Sequence, residues 1–243
     1  MAGCPGFGVM DFEQRYSDFP ALKQEIVMLM GRGCFWKRCT FCDYYGDSGP
    51  DGQSVPLNRN VLQRVTGKYH RLVVLNSGSY FELPGETQAQ IMAVCADQTI
   101  TALHMESHWR FKDQVVALKK TLADAGIALH PRIGIETFDE GFREEVMDKG
   151  MGRGVTPKEI AGIFDECCLL FGMQGQSTGQ FKKDLAIAKS HFKTVYLNLF
   201  NPNTTKVQAD DNLVQWFIRN APELKKDPQL VVLTENTGLG VGD

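Results

Sequence analysis

Short apolar segments alternate with longer segments of helical periodicity through most of this 243-residue chain. Strands are predicted at residues 25–30, 71–76, 102–106, 129–136, 167–173, 194–200 and 229–235. Helices are predicted at residues 86–97, 111–125, 140–149, 158–164, 179–192 and 211–225. A strand followed by a helix, repeated in this way, indicates parallel β/α units with right-handed crossovers. We therefore predict an α/β fold, a partial (β/α)6 TIM-like barrel with one additional C-terminal strand, whose functional residues lie at the carboxyl ends of the strands.

The length and the charge of the chain limit its organisation and its partners. At 243 residues it fits a single domain, in which we expect an N-terminal extension (1–24), a barrel core (25–236) and a tail (237–243). The net charge is −3 and the basic residues are dispersed, so no basic stripe indicates nucleic-acid binding. The apolar run 26–30 is too short to span a membrane, and the first residues lack the features of a signal peptide. We expect a cytoplasmic protein.

The segment Cys34-Phe-Trp-Lys-Arg-Cys39-Thr-Phe-Cys42 contains three of the seven cysteines of the chain. An odd number of cysteines without an export signal argues against a disulfide framework, and thiols this close together are typical of a metal site. Three thiolates are one too few for a tetrahedral zinc site or a cuboidal iron–sulfur cluster, so one coordination position stays open. Zinc with a distant fourth ligand and an iron–sulfur cluster are both compatible with this spacing. The remaining cysteines of the interior are predicted to be small buried apolar residues: Cys95, Cys167 and Cys168.

Polar side chains at the ends of predicted strands are candidate ligand-binding groups. In the strand 129–136 the two isoleucines share one face, so Glu136 is expected to point into the barrel at its rim. Asn198 is expected to point inward from the strand 194–200. His104, Glu106 and His108 share one face of an extended segment, a spacing that could hold a second metal. Structural ion pairs and turn contacts are the alternative roles for these residues.

The cysteine segment resembles the cluster-binding loop of radical S-adenosylmethionine (SAM) enzymes, in which three cysteines follow the first barrel strand and an aromatic residue precedes the last one. Phe41 is that aromatic residue in this chain. Four residues separate Cys34 from Cys39, where the family usually has three, which indicates a non-standard subgroup. The resemblance implies that Cys34, Cys39 and Cys42 bind a 4Fe–4S cluster whose fourth iron is open to SAM.

Four further strand ends resemble SAM-binding positions of this family, and the resemblance covers nearly the whole chain. It implies that the segment 76–80 binds the amino group of SAM, that Glu136 binds the ribose hydroxyls, and that the loop 172–175 meets the adenine. The implied SAM-binding residues are Phe41, Ser77, Gly78, Ser79, Glu106, Glu136 and Gln174. In the family, one electron cleaves SAM to methionine and a 5′-deoxyadenosyl radical, which takes a hydrogen atom from the substrate. A reductant such as flavodoxin or ferredoxin is therefore an implied partner.

Within this family, the segments 76–81, 106–107 and 198–204 are similar to a branch that contains archaeosine-forming radical enzymes and bacterial queuine lyases. Both act on 7-deazaguanines: the first in tRNA, and the second on the free base, from which C–N cleavage releases 7-aminomethyl-7-deazaguanine. The dispersed basic residues favour the free base queuine, with modified tRNA or another small molecule as alternatives. Candidate contacts to the base are Arg32, Asn76, Tyr80, Asn198, Asn201, Glu235 and Asn236.

A different class of function would also account for the cysteines, namely a non-catalytic protein that binds an iron–sulfur cluster or zinc. An electron carrier needs neither a ribose-binding glutamate nor a barrel of this size, so the enzyme is favoured. A partial barrel has an open side, which residues 11–22, the tail 237–243 or a second subunit of a homodimer would cover. The sequence does not choose among these three.

Overall fold

The computed structural model describes residues 10–234, which fall into two units. The N-terminal unit comprises residues 10–35 and 44–131, and the C-terminal unit comprises residues 36–43 and 132–234. Each unit contains parallel strands followed by helices, so the predicted α/β class is confirmed. The single domain and the count of six β/α units stay predictions. Glu235, Asn236 and the tail 237–243 lie outside the described residues.

The N-terminal unit is built on strands β1 to β4. Its elements are β1 (Tyr16–Phe19), β2 (Gln24–Leu29), α1 (Asp51–Leu62), β3 (Arg71–Asn76), α2 (Gly85–Asp97), β4 (Ala102–Glu106) and α3 (Lys112–Asp124). β2 pairs in parallel with β3, and β3 with β4, whereas β1 runs antiparallel to β2. Every residue of β2 is buried, as expected for a strand covered on both faces. The carboxyl ends of β2, β3 and β4 therefore lie at one edge of this sheet.

Two elements of this unit, β1 and α1, escape the sequence prediction. β1 has the sequence Tyr-Ser-Asp-Phe, which lacks an apolar alternation. α1 contains Gly52 and Pro56, and both residue types disfavour a helix interior. The helix is tied to the end of β2 by Asn58, whose side-chain oxygen accepts a hydrogen bond from Met30 N (2.8 Å) and whose amide donates to Met30 O (2.9 Å). This tertiary contact has no local signature in the sequence.

The C-terminal unit is built on the parallel strands β5 to β8. β5 (Ala128–Glu136) enters this unit at Arg132. The elements that follow are α4 (Pro157–Ala161), β6 (Glu166–Phe171), α5 (Thr178–His191), β7 (Thr194–Leu199), α6 (Asp211–Leu224) and β8 (Leu230–Leu233). β5 pairs with β6, β6 with β7, and β7 with β8, so the carboxyl ends of these strands share one edge. Within residues 10–234, no helix has the length and apolar character needed to cross a membrane.

The predicted helix at 140–149 forms but ends three residues early: residues 140–146 are helical, and Phe142–Val146 is a π-helical segment. Gly150 and Gly152 have φ angles of +69° and +91°, which a continuing helix cannot accommodate. The buried Arg143 side chain donates to the carbonyl oxygen of Gly152 (3.2 Å) and holds the segment folded back. The other predicted helices and strands are confirmed, with ends that differ by at most three residues.

A buried ion pair, Arg15–Asp47, fixes the first residues of the N-terminal unit. Both side chains are 0% exposed, and Arg15 Nη2 lies 2.5 Å from Asp47 Oδ1. The guanidinium also donates to the carbonyl oxygens of Met28 (3.2 Å) and Met10 (3.1 Å). Asp47→Asn would leave this buried charge without its counter-ion, so we expect the free energy of unfolding to fall by about 3–5 kcal/mol. Urea denaturation measures the change.

Asp18→Asn is the matched control for this prediction. Asp18 pairs with Lys68 (2.8 Å) at the surface of the same unit, and exposed pairs contribute little to stability. We expect the control to unfold at nearly the same urea concentration as the wild type. If Asp47→Asn were as stable as the control, the buried pair would have no stabilising role.

Candidate active site

The loop that follows β3 is fixed by the carboxylate of Glu82. Glu82 Oε2 accepts a hydrogen bond from Ser79 N (2.6 Å) in a capping box. Glu82 Oε1 accepts a second one from Phe35 N (2.5 Å). Because Phe35 directly follows Cys34, one buried carboxylate holds the first cysteine of the predicted cluster loop beside the loop 76–79.

Gly78 permits this close approach. A Cβ atom at position 78 would lie 2.5 Å from Glu82 Oε2, 3.2 Å from Cys34 Cα and 3.3 Å from Cys34 N. The carboxylate cannot move away without breaking its two hydrogen bonds, and the Cys34 contacts are to backbone atoms. A side chain at this position would therefore displace the first cysteine.

Phe35 lies in a group of aromatic rings next to Cys34. Its ring stands edge-on to the rings of His108 (5.3 Å between centroids) and Phe111 (5.6 Å). The Arg110 guanidinium lies 4.5 Å from the Phe35 ring centroid. These contacts partly cover the chain next to the first cysteine.

Two buried polar atoms of the loop after β3 have no hydrogen-bond partner within residues 10–234: Asn76 Oδ1 and Ser77 Oγ. Buried polar atoms are nearly always paired, so two unpaired ones at a strand end fit a position that a polar ligand fills. Both can accept hydrogen bonds from an ammonium group. Ser79 differs, because its Oγ accepts from His108 N (2.9 Å).

In the C-terminal unit, the loop 36–43 carries Cys39 and Cys42 and is bound to the end of the helix at residues 140–146 and the turn that follows it. Thr40 N donates to the carbonyl oxygen of Met147 (3.0 Å). Thr40 Oγ1 donates to the carbonyl oxygen of Val146 (2.9 Å). Two hydrogen bonds from the residue after Cys39 therefore fix the loop to this turn.

Trp36 adds a second anchor to the same turn. Its Nε1 donates to the carbonyl oxygen of Asp148 (2.5 Å), and Arg38 Nε lies 3.0 Å from Asp148 Oδ2. A Cβ atom at Gly150 would lie 2.4 Å from the Trp36 ring. Only glycine therefore allows the indole to lie against this backbone.

The loop after β7 holds the residues on either side of Cys42. Asn203 Nδ2 donates to the carbonyl oxygen of Phe41 (2.7 Å). Asp43 Oδ2 accepts hydrogen bonds from Thr204 N (3.0 Å) and Thr204 Oγ1 (2.7 Å). The Phe41 ring packs against a buried apolar group composed of Met147, Met173 and Phe200. Cys42 is thus held by both of its chain neighbours.

β5 ends at Glu136 in a backbone conformation that is rare for a residue with a side chain. Its φ is +67°, and a bulge interrupts the pairing with β6 between Gly134 and Glu136. Glu136 is 8% exposed, and its Oε1 accepts a hydrogen bond from Lys149 Nζ (2.6 Å). A Cβ atom at Gly134 would lie 2.6 Å from Glu136 Oε1 and 2.9 Å from Lys149 Nζ, so the glycine leaves room for this pair. Strained positions of this kind are concentrated at functional sites.

The other predicted site residues of the N-terminal unit are engaged in contacts. Arg32 is exposed and pairs with Asp51 (2.5 Å). Tyr80 is buried, and this burial, with a smaller effect of Cys95, raises the pKa of its hydroxyl well above the ordinary value. Glu106, the last residue of β4, is half-buried and has interaction partners.

The two histidines of the predicted second metal site make separate contacts. His104 stacks on His130, with 4.6 Å between ring centroids. His108 Nδ1 accepts a hydrogen bond from Arg110 N (3.2 Å). Among residues 10–234, no three His, Cys, Asp or Glu side chains are grouped closely enough to hold a single metal ion.

The predicted residues of the C-terminal unit lie at the carboxyl ends of its strands. Gln174 follows β6; its side chain is exposed and its N–H donates to the carbonyl oxygen of Gln208 (3.0 Å). Asn198 is half-buried, one residue before the end of β7, and faces Leu233 of β8 in the pairing register. Asn201 Nδ2 donates to the carbonyl oxygen of Leu199 (3.3 Å), a turn contact.

No family model matches the chain. The solved structure of queuine lyase from Clostridium spiroforme, bound to SAM and queuine, is similar to it with a TM-score of 0.88. The identity is 35%, and the match covers 94% of this chain and 99% of that one. This chain belongs to the queuine lyase family of radical SAM enzymes.

A curated relative is also found in Methanocaldococcus jannaschii, where it is an uncharacterised protein. The identity is 25% over an alignment of 154 positions, and the match covers 56% of this chain. The chain spans 41% of the length of that relative.

Radical SAM enzymes of the queuine lyase family carry a 4Fe–4S cluster, and the residues of this chain fit that cofactor. Cys34, Cys39 and Cys42 are half-buried, lie in one loop and form no disulfide. The interior cysteines are buried free thiols, as predicted: Cys95, Cys167 and Cys168. Burial raises the pKa of the Cys95 thiol to about 11, so this thiol stays neutral near pH 7.

Two residues of this chain that organise its candidate site were not predicted from the sequence. They are Glu82 and Lys149. Glu82 has a local signal, because Ser79-x-x-Glu82 is a capping-box pattern directly after a strand. Lys149 has none: it is 13 positions from Glu136, and only the turn that ends at Gly150 brings the two side chains together.

Ser77→Ala separates a ligand-binding role from a structural one. Because the hydroxyl has no partner within residues 10–234, its loss should change the free energy of unfolding by less than about 0.5 kcal/mol. The affinity for SAM should fall about fivefold, which corresponds to one hydrogen bond of about 1 kcal/mol. Thermal unfolding and equilibrium binding of SAM measure the two effects.

Ser79→Ala is the comparison variant, since the Ser79 hydroxyl accepts a hydrogen bond from His108 N. It should lose more stability than Ser77→Ala. An unchanged affinity of Ser77→Ala for SAM would contradict the role given to the unpaired hydroxyl.

Proposed function

We propose that this protein is a radical SAM lyase that cleaves the C–N bond of queuine and releases 7-aminomethyl-7-deazaguanine for queuosine salvage. The observation that carries the proposal is the 35% identity, over nearly the whole length of both chains, to a queuine lyase bound to SAM and queuine. The substrate is a small molecule, and the electron comes from a reductant such as flavodoxin or ferredoxin.

Cys34, Cys39 and Cys42 would hold the 4Fe–4S cluster. When bound, it supplies the electron that divides SAM into methionine and the 5′-deoxyadenosyl radical, which takes a hydrogen atom from the substrate. The chain binds and orients SAM and excludes water. Phe35 and Phe41, each next to a cysteine, contribute to the exclusion of water through their ring contacts.

The SAM contacts are proposed from the family pattern and from the local geometry within each unit. Asn76 Oδ1 and Ser77 Oγ have free acceptor capacity for the N–H groups of the amino group of SAM. Glu136, held by Lys149, accepts hydrogen bonds from the ribose hydroxyls. The remaining contacts are assigned by resemblance to Phe41, Gly78, Ser79, Glu106 and Gln174.

Recognition of queuine requires acceptors for its exocyclic amine and ring N–H, and donors for its carbonyl oxygen. Asn198 is the strongest candidate, since it is half-buried at a strand end and an amide supplies both kinds of group. Three other candidates are weaker because their side chains already have local roles. Arg32 pairs with Asp51, Tyr80 is buried, and Asn201 makes a turn contact. Glu235 and Asn236, outside the described residues, complete the candidate set.

The free base is preferred to tRNA because the chain has a net charge of −3 and dispersed basic residues. The described cysteines are all free thiols, in keeping with a reducing cytoplasm. A homodimer is the proposed assembly if the N-terminal segment and the tail leave the active site open to water.

The substrate choice is tested with anaerobically reconstituted, reduced protein and SAM in three parallel reactions: with queuine, with queuosine-containing tRNA, and with neither. Formation of 5′-deoxyadenosine should rise with queuine only. A rise with tRNA alone would support an archaeosine-type enzyme instead. A protein that binds a cluster but forms no 5′-deoxyadenosine in any reaction would be a non-catalytic iron–sulfur protein.

A further inference from the structure

Lys149 lies between the ribose-binding candidate Glu136 and the loop that carries Cys39 and Cys42. Its Nζ donates to Glu136 Oε1 (2.6 Å) and is 5.6 Å from the centroid of the Phe41 ring. The lysine side chain is only 13% exposed, so its ammonium is largely removed from water. Burying an ammonium costs free energy unless the charge is paired, and here Glu136 pairs with it.

The position of Lys149 relative to the cysteine loop is fixed by the residues that precede it. Met147 and Asp148 accept hydrogen bonds from Thr40 N (3.0 Å) and Trp36 Nε1 (2.5 Å) through their carbonyl oxygens. Lys149 N donates to the carbonyl oxygen of Arg143 (3.1 Å). The backbone that carries the ammonium and the backbone that carries two of the three cysteines therefore form one hydrogen-bonded structure within the C-terminal unit.

The charges around Lys149 keep it protonated. Burial alone lowers the pKa of its ammonium, but the Glu136 carboxylate, paired with it at 2.6 Å, raises that pKa. A positive charge in a region of low dielectric constant acts strongly on its neighbours.

We propose that the charge of Lys149 raises the reduction potential of the cluster held by Cys39 and Cys42. This inference rests on the proposed function. The potential of an iron–sulfur cluster depends on the net charge around it, and a nearby cation stabilises the reduced, more negative state. Reduction must precede cleavage of SAM, so the lysine would make the first step easier.

The test is the midpoint potential of the reconstituted cluster, measured without SAM by a redox titration followed by electron paramagnetic resonance. Glu136→Gln removes the carboxylate and leaves the lysine charge unopposed, so the potential should shift to a more positive value. Adding Lys149→Met to that variant removes the cation with no carboxylate left to take up a proton. The double variant should be clearly more negative than Glu136→Gln alone.

Two further variants complete the design. Lys149→Arg keeps the charge and should stay near the wild-type potential. Lys193→Met removes a lysine of the same unit that is 70% exposed and pairs with Asp165, and it should leave the potential unchanged. Iron content and circular dichroism verify that each variant carries its cluster and is folded.

If Glu136→Gln and the double variant had equal potentials at full iron content, the inference would be overturned. The proposed function would still stand if the wild-type protein cleaved SAM. If the double variant held no cluster, a wild-type potential in Glu136→Gln would overturn the inference, and a positive shift would support it. A wild-type protein that binds no iron would overturn the proposed function, and the inference with it.

Discussion

The Cys39→Ala variant is expected to fold like the wild type and to lose both its 4Fe–4S cluster and all cleavage of SAM. The thiol of Cys39 is half-buried in a loop, so its removal sacrifices little packing. It is nevertheless one of the three proposed protein ligands of the cluster, and the loss of one of three thiolates should prevent assembly of a 4Fe–4S centre. Iron content, visible absorption and 5′-deoxyadenosine formation measure the loss. The same result is expected for Cys34→Ala and Cys42→Ala.

Cys95→Ala is the control for these three variants. Cys95 is a buried free thiol of α2 and belongs to the core of the N-terminal unit. It should keep a full cluster and wild-type turnover. A Cys39→Ala protein that bound four irons and cleaved SAM would show that Cys39 is not a ligand.

The Glu82→Ala variant should show the second largest effect, although Glu82 is neither a cluster ligand nor a proposed SAM contact. Its carboxylate accepts hydrogen bonds from Phe35 N and Ser79 N, and both donors would be left unpaired. Cys34 would then lose its attachment to the loop 76–79. Removal of a group that holds a metal ligand in place typically lowers metal affinity or activity by about 10–100-fold. We expect losses of that size in cluster retention and in 5′-deoxyadenosine formation.

Glu86→Ala is the matched control, because Glu86 lies four positions further on, is 59% exposed and pairs with Arg59 at the surface. Glu82→Gln should have an intermediate effect, since it retains one acceptor oxygen in a side chain of the same shape. Iron retention during gel filtration and the rate of 5′-deoxyadenosine formation compare the three variants. Equal retention by Glu82→Ala and Glu86→Ala would contradict the anchoring role.

Strands and helices could be predicted from the sequence where the pattern that specifies them, such as an apolar run or an N-cap, lies within or next to their own residues. The strands at 71–76 and 102–106 are apolar runs bounded by polar residues, and the structure has them with the same ends. The short helix α4 begins at Pro157, one residue before the predicted start, directly after its N-cap Thr156. The places of the cysteines and of Glu136 in the fold could be predicted in the same way, because these residues have their own local patterns; their roles as ligand contacts stay predictions.

Features that depend on tertiary contacts could not be predicted. α1 contains Gly52 and Pro56, and Asn58 ties it to the end of β2 in a way that no local pattern indicates. The predicted helix at 140–149 ends early because Gly150 must accept the Trp36 ring, more than a hundred residues away in sequence. The turn after this helix brings Lys149 to Glu136, so the misplaced helix end and the missed residue of the site have one cause.

The most direct test of the proposed activity is the product analysis of queuine turnover. Reconstituted, reduced protein is incubated with SAM and queuine without oxygen, and the products are identified by liquid chromatography and mass spectrometry. We expect 5′-deoxyadenosine and 7-aminomethyl-7-deazaguanine to accumulate together, and neither to form with Cys39→Ala. Accumulation of 5′-deoxyadenosine while queuine remains intact would contradict the proposed C–N cleavage.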